Sequence, residues 1–79
     1  MNIDEEEVDK VVLALLYLTS FQEGEIKRSW KSYDWSVMDH LHEKGYISDP
    51  KNKNKSVVFS ELGEEQGKLL VSKYFTKAG

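Results

Sequence analysis

The stretch MDHLHEKGYI, residues 38–47, decides the predicted fold because its character changes from helical to extended at a single glycine. Met38 and Leu41 lie one helical turn apart and form part of an inner stripe. Gly45 stands just after the expected helix end, where a positive φ angle is needed and glycine adopts it without steric cost. The stretch therefore predicts a helix that stops sharply and continues as a strand.

A first helix is predicted near the N-terminus. Asp4 and Glu7 form a D-x-x-E capping signal, and the acidic first turn complements the helix dipole. The apolar residues that follow recur at i, i+3, i+4, i+7 and i+8: Val8, Val11, Val12, Leu15 and Leu16. This helix is expected to end within residues 19–22.

Two more helices are predicted before the glycine. A short helix over residues 25–32 is predicted from apolar residues at i, i+4 and i+7: Ile26, Trp30 and Tyr33. The next helix spans residues 34–44, with Asp34 as its N-cap.

The chain beyond the glycine predicts a β-hairpin and a last helix. Residues 46–48 and 56–59 read as short strands, and the polar loop 51–55 joins them. Ser60 is a suitable N-cap for a helix over residues 61–75.

The predicted core takes apolar residues from every element. Its members are Val8, Val12, Leu15, Leu16, Trp30, Met38, Leu41, Ile47, Val58, Leu62, Leu69 and Leu70. Gly63 and Gly67 are unfavourable inside a helix. Their spacing of four residues predicts a groove where another segment approaches closely.

The composition excludes several classes of protein. The chain has 79 residues, 39% of them hydrophobic, which predicts one small folded domain over residues 1–79 and not a disordered tail. No apolar run is long enough to span a membrane, and no secretory signal pattern is present. The chain has no cysteine, so disulfides and thiolate metal sites are excluded. A cytoplasmic protein is expected.

The formal net charge of −3 is unevenly distributed. Residues 27–55 hold seven basic and four acidic residues, a net charge of +3, and the remainder of the chain carries −6. Such a basic segment can face a polyanion.

Two segments resemble winged helix-turn-helix proteins. Residues 38–47 are similar to the L-x-x-K-G-hydrophobic-Ile signature of MarR-like and PadR-like regulators, at the end of a recognition helix and the first wing strand. The segment VVFSELG, residues 57–63, resembles the second wing strand and the start of the next helix, with Ser60 in place of threonine. The resemblance covers roughly residues 34–72.

The whole chain also resembles a family of small uncharacterised bacterial proteins. The shared features are an IDEE start, a DW pair and an LHEKG core, at residues 3–6, 34–35 and 41–45. Together the resemblances imply an α+β, winged-helix-like domain with three N-terminal helices, the second short, followed by a β-hairpin wing and a C-terminal helix. They imply a DNA-binding or transcription-regulatory module.

A winged helix contacts DNA through the start of its recognition helix and through its wing. The wing lysines alternate with asparagines, and lysine and amide donors suit phosphate contacts. The predicted residues for binding double-stranded DNA lie in these two places: Lys31, Ser32, Ser36, Lys51, Asn52, Lys53, Asn54 and Lys55. The outward face of the third helix opposes this prediction, since its residues carry a net charge of −2: Ser36, Asp39, His40 and Glu43.

The alternative is a protein-interaction module on the same scaffold, or a homodimer formed through the first and last helices. The aromatic cluster near Trp30 and Trp35 and the groove at Gly63 and Gly67 favour it. An enzyme is not expected, because no catalytic motif, cofactor motif or metal-ligand pattern is present. The two histidines, two residues apart on a helix, point in different directions and cannot bind one ion.

Overall fold

Three helices and a three-stranded antiparallel sheet make up the computed structural model, which describes residues 1–77. The first helix packs against the central strand and against both other helices. The elements in chain order are α1 (Glu5–Leu18), β1 (Phe21–Glu23), β2 (Ile26–Trp30), α2 (Trp35–Glu43), β3 (Ser56–Val58) and α3 (Glu61–Phe75). The sheet order is β1-β2-β3, so β2 is the central strand. Within residues 1–77 no helix combines the length and the apolar character needed to cross a membrane.

The predicted helix over residues 25–32 is wrong. This segment is mostly β2, which pairs with β1 in a tight hairpin that places Glu23 opposite Ile26. Gly24, the first of the two loop residues, has a φ of +63°, whereas Glu25 does not have a positive φ, which is the pattern of a type II′ turn. Ile26 and Trp30 misled the prediction because a spacing of four residues fits the period of a strand as well as that of a helix.

The predicted order of three N-terminal helices, a hairpin wing and a C-terminal helix is therefore wrong. The two predicted wing segments do meet, at the isolated antiparallel bridge between Ile47 and Phe59 and through a hydrogen bond from the Val58 N–H to the Ser48 hydroxyl. The main partner of β3 is β2, with Ser29 opposite Val57. The strands form one continuous sheet, not a separate wing.

The three long helices begin at their predicted caps. The side chain of Asp4 accepts a hydrogen bond from the Glu7 backbone N–H, and Ser60 accepts one from Gly63 at 3.0 Å. Asp34 caps α2, and Gly45 has a φ of +80° just beyond its end. These signals are local in sequence, so the chain alone identifies them.

The buried apolar residues lie between the helices and the inner face of the sheet: Val12, Leu13, Ala14, Leu16, Met38, Leu41, Ile47, Val57 and Phe59. Four predicted core residues are instead exposed: Val8, Trp30, Leu62 and Leu69. In β3 it is Val57 and not Val58 that faces inward.

The glycines of α3 explain why its leucines lie outside. Gly63 is buried against the backbone of Tyr46, and Gly67 is buried against the side chain of Tyr17. The predicted small-residue groove thus exists, but residues of the same chain fill it. Because this glycine face turns inward, Leu62 and Leu69 turn outward.

Candidate nucleic-acid interface

Lys31, which directly follows β2, forms hydrogen bonds with the polar loop of residues 51–55 that precedes β3. Its ammonium group donates hydrogen bonds to the backbone oxygen of Asn52 at 2.9 Å and to the side-chain oxygen of Asn52 at 3.1 Å. The Lys31 backbone N–H also donates to the Lys55 carbonyl oxygen at 3.1 Å. Lys31 and Asn52, which were predicted as DNA contacts in different parts of the chain, are thus in direct contact.

The loop is also ordered from within. The backbone N–H of Lys51 donates to the Asp49 carboxylate, and that of Asn54 donates to the Asn52 side chain, both at 2.9 Å. Pro50, at the start of the loop, is fully buried. Turns of this type, closed by Asp or Asn side chains, hold a loop in one conformation.

The three loop lysines point into solvent. Lys51, Lys53 and Lys55 are all exposed. Lys51 lies 3.9 Å from the Asp39 carboxylate of α2, but 71% of the Lys51 side chain remains accessible, and exposed ion pairs of this kind are weak. The predicted acidic face of α2 therefore borders the loop, with one of its charges partly balanced by Lys51.

The two predicted serines are placed differently. Ser32 is exposed beside Lys31. Ser36 donates its hydroxyl and its backbone N–H to the Asp34 carboxylate, and these hydrogen bonds hold the pKa of Asp34 below its usual value. Ser36 lines a cavity of about 150 Å³ together with Ile3 and other residues at the start of α1. The hydroxyl and the backbone N–H of Ser36 are therefore both used in capping α2.

The outer face of the sheet carries an aromatic pair formed by Phe21 and Trp30. Trp30 was predicted in the core, and no position was predicted for Phe21. The rings of Phe21 and Trp30 lie 5.0 Å apart between centroids, at an angle of 34°. Trp30 is 56% exposed, and Ile26 on the same side of β2 is also exposed. The alternation of Ile26, Arg28 and Trp30 is the sequence signal that reveals this face.

Arg28 lies on the same face between these apolar side chains. Its Nη1 donates to the Ser56 hydroxyl at 3.2 Å across the sheet. Its Nε is 3.4 Å from a Glu23 carboxylate oxygen, within ion-pair distance but without hydrogen-bond alignment. The guanidinium group is therefore held in place on the sheet while one buried N–H stays unsatisfied.

A polar cluster around the buried Asp9 joins α1 to the end of α2, and its partner His40 keeps 36% of its side chain accessible. Asp9 is buried, and its two carboxylate oxygens lie 3.2 Å from His40 Nδ1 and 3.2 Å from Lys44 Nζ. The hydrogen bond with Asp9 raises the pKa of His40. A cavity of about 240 Å³ beside Asp9 and Lys44 has Leu13, Leu41 and other apolar side chains in its lining.

The comparisons with known proteins concern the whole chain. A family model described as a domain of unknown function, DUF6429, matches residues 4–77. The chain belongs to the DUF6429 family. It is also similar to "Uncharacterized protein y4hR" of Sinorhizobium fredii (strain NBRC 101917 / NGR234), with 44% identity over 77 residues, which is 98% of this chain and 100% of that protein. No solved structure matches the chain.

The family relationship agrees with the coarser part of the sequence prediction. The expectation of an uncharacterised bacterial family is confirmed by the family match and by the bacterial relative. The match to DUF6429 extends over all three helices and all three strands. Neither description names a ligand.

Proposed function

We propose that this DUF6429 protein binds DNA through the loop of residues 51–55, with Lys51, Lys53 and Lys55 contacting phosphates. The observation that supports the proposal is the attachment of this exposed, lysine-rich loop to the sheet by Lys31. Phosphate contacts by lysine supply most non-specific affinity for DNA.

The attachment of the loop favours a role of its lysines in binding DNA over a role in keeping the surface soluble. A flexible lysine loop must lose conformational freedom when it binds, and this loss lowers affinity. Here Asn52 is held by Lys31, and the Asn54 backbone N–H is held by Asn52. The loop backbone is thus already ordered, and Lys53 and Lys55 extend from it without forming any of the described ion pairs.

Fluorescence anisotropy with generic DNA tests this function at about 50 mM and about 200 mM salt. Three phosphate contacts predict a slope of log affinity against log salt of about −2.7 on duplex DNA, or roughly a 40-fold loss over this range. Replacing Lys51, Lys53 and Lys55 with alanine should abolish most of the binding and flatten this slope.

A matched control separates the loop from net charge. Replacing Lys68, Lys73 and Lys77 with alanine removes the same three charges from α3 and the residues just beyond it. This control should bind almost as well as the original chain. The absence of binding at the lower salt concentration, or an equal loss in both triple variants, would refute the proposal.

A second candidate function is self-association through α3. Leu62 and Leu69 are 45% and 63% exposed and lie seven residues apart, on one stripe of the helix. The exposed Glu65 and Lys68 flank this stripe with opposite charges. Two antiparallel copies of α3 could therefore pair with complementary charges.

Sedimentation velocity over a range of protein concentrations tests the second candidate. Self-association that disappears when Leu62 and Leu69 are replaced with glutamine would support it. A clean monomer at high concentration would exclude it.

A further inference from the structure

We infer that the Phe21–Trp30 pair on the outer face of the sheet is a stacking platform for an unpaired nucleic-acid base. The inference rests on the proposed function and deepens it. It assigns the lysine loop a single-stranded ligand in preference to a duplex.

The aromatic pair presents a fixed and open surface. Trp30 is more than half exposed, although a small domain usually buries its tryptophans. Its ring packs against Phe21 at a centroid distance of 5.0 Å, which restricts its rotation. An aromatic ring held against a sheet and open to solvent can stack on an unpaired base.

Positive charge adjoins the platform at its loop end. Lys31 directly follows Trp30, and Ser56, the strand partner of Trp30, directly follows Lys55. One residue of a strand spans about 3.3 Å, so the backbone of the lysine loop begins about 3.3 Å along the strand from the partner of Trp30. Arg28 lies on the same face on the other side of Trp30. A strand with its base on Trp30 could therefore place a neighbouring phosphate near Arg28 and continue towards the lysine loop.

A duplex fits this face poorly. The bases of a duplex are stacked on each other, and only their edges are accessible in the grooves. A ring on a sheet presents its flat side, which an unpaired base can cover but a base edge cannot.

The charge distribution also favours a nucleic acid over a protein partner. The centres of protein–protein interfaces are enriched in arginine and aromatic residues but depleted of lysine and glutamate. On this face Arg28 and Glu23 lie next to the aromatic pair, and lysines border it. A polyanionic strand with flat bases complements both the apolar and the basic parts of this surface.

The test compares an oligothymidine of about 12 nucleotides, a length that single-strand-binding folds cover, with a hairpin duplex of similar size. Replacing Trp35 with phenylalanine leaves Trp30 as the only tryptophan. In this background oligothymidine should quench the tryptophan emission, and the duplex should change it much less.

Affinity measurements provide the second readout. Trp30→Ala should weaken oligothymidine binding roughly 5- to 150-fold, the range expected for one stacked base, and should leave duplex binding unchanged. Trp30→Phe keeps an aromatic face and should retain most of the affinity. Leu18→Ala removes an equally exposed apolar side chain from the end of α1 and should have no effect.

The outcomes separate this inference from the proposed function. Equal affinity for both probes, or an equal effect of Trp30→Ala on both, would overturn the stacking platform while the lysine-dependent binding stands. If the original chain bound neither probe, both the stacking platform and the proposed function would be overturned. If Trp30→Ala changed only the sedimentation of the protein, the face would be a contact between copies and the inference would be wrong.

Discussion

Replacing Gly63 with alanine should destabilise the junction between α3 and the turn after α2. The added Cβ would lie inside the contact radius of the Tyr46 carbonyl oxygen and 2.8 Å from the Tyr46 carbonyl carbon. The same carbonyl accepts a hydrogen bond from the Ser60 backbone N–H at 3.0 Å. Because the obstacle is backbone and not a flexible side chain, the helix must move away to make room.

The expected magnitude follows from three contributions. Alanine gains about 1 kcal/mol over glycine in helix propensity. Overpacking against rigid structure costs about 3 kcal/mol, at the upper end of its usual range. Weakening the Ser60–Tyr46 hydrogen bond costs about 1 kcal/mol more. The net loss is therefore about 3 kcal/mol, which lowers Tm by roughly 12–24 °C in a domain of this size.

Thermal and urea unfolding, followed by circular dichroism, measures this loss. Gly67→Ala places its Cβ 2.9 Å from the Tyr17 Cβ and should also destabilise, but by less, because this approach is less close than that of Gly63 to Tyr46. Ser72→Ala, on the exposed side of α3, should stay within about 0.5 kcal/mol of the original chain. If Gly63→Ala were as stable as Ser72→Ala, the close packing of Tyr46 on α3 would be refuted.

Two further predictions concern the α1–α2 cluster and the hairpin. Because the hydrogen bond with Asp9 raises the folded pKa of His40 above 6.5, its stabilising contribution should be complete below pH 6.5 and disappear as pH rises through the raised value. In Asp9→Asn, NMR titration should return the pKa of His40 towards 6.5 and unfolding should lose this pH dependence; an unchanged titration would contradict the pairing. Gly24→Ala should lower stability by about 1–2 kcal/mol in urea unfolding, since alanine resists the φ of +63° although no atom lies within 4 Å of the added Cβ. An unchanged urea midpoint would argue against the tight hairpin.

The helices could be predicted from the sequence because their signals lie within a few residues. Asp4, Asp34 and Ser60 each accept hydrogen bonds from backbone groups at most three residues away. The sheet could not be predicted in the same way. The spacing of Ile26 and Trp30 fits both kinds of element, and the pairing of β2 with β3 depends on tertiary structure.

The candidate interface was predictable in its charge but not in its arrangement. The excess of lysines over residues 27–55 is visible in the sequence. The contact between Lys31 and Asn52 joins residues 21 positions apart, and no local pattern indicates it. The exposure of Trp30 could not be predicted for a related reason. An apolar side chain is expected in the core unless the sheet face on which it lies is known.

The central position of β2 has a consequence for the order of folding. The β1–β2 hairpin is local and can form in about 1–10 μs. The other edge of β2 must wait for β3, because Arg28 and Ser56, which meet across that edge, are 28 residues apart and closing so long a loop is entropically costly. During this interval β2 has one unpaired edge. A β3 strand from another chain can compete for that edge at high concentration, so we expect strand exchange between chains to be favoured under these conditions.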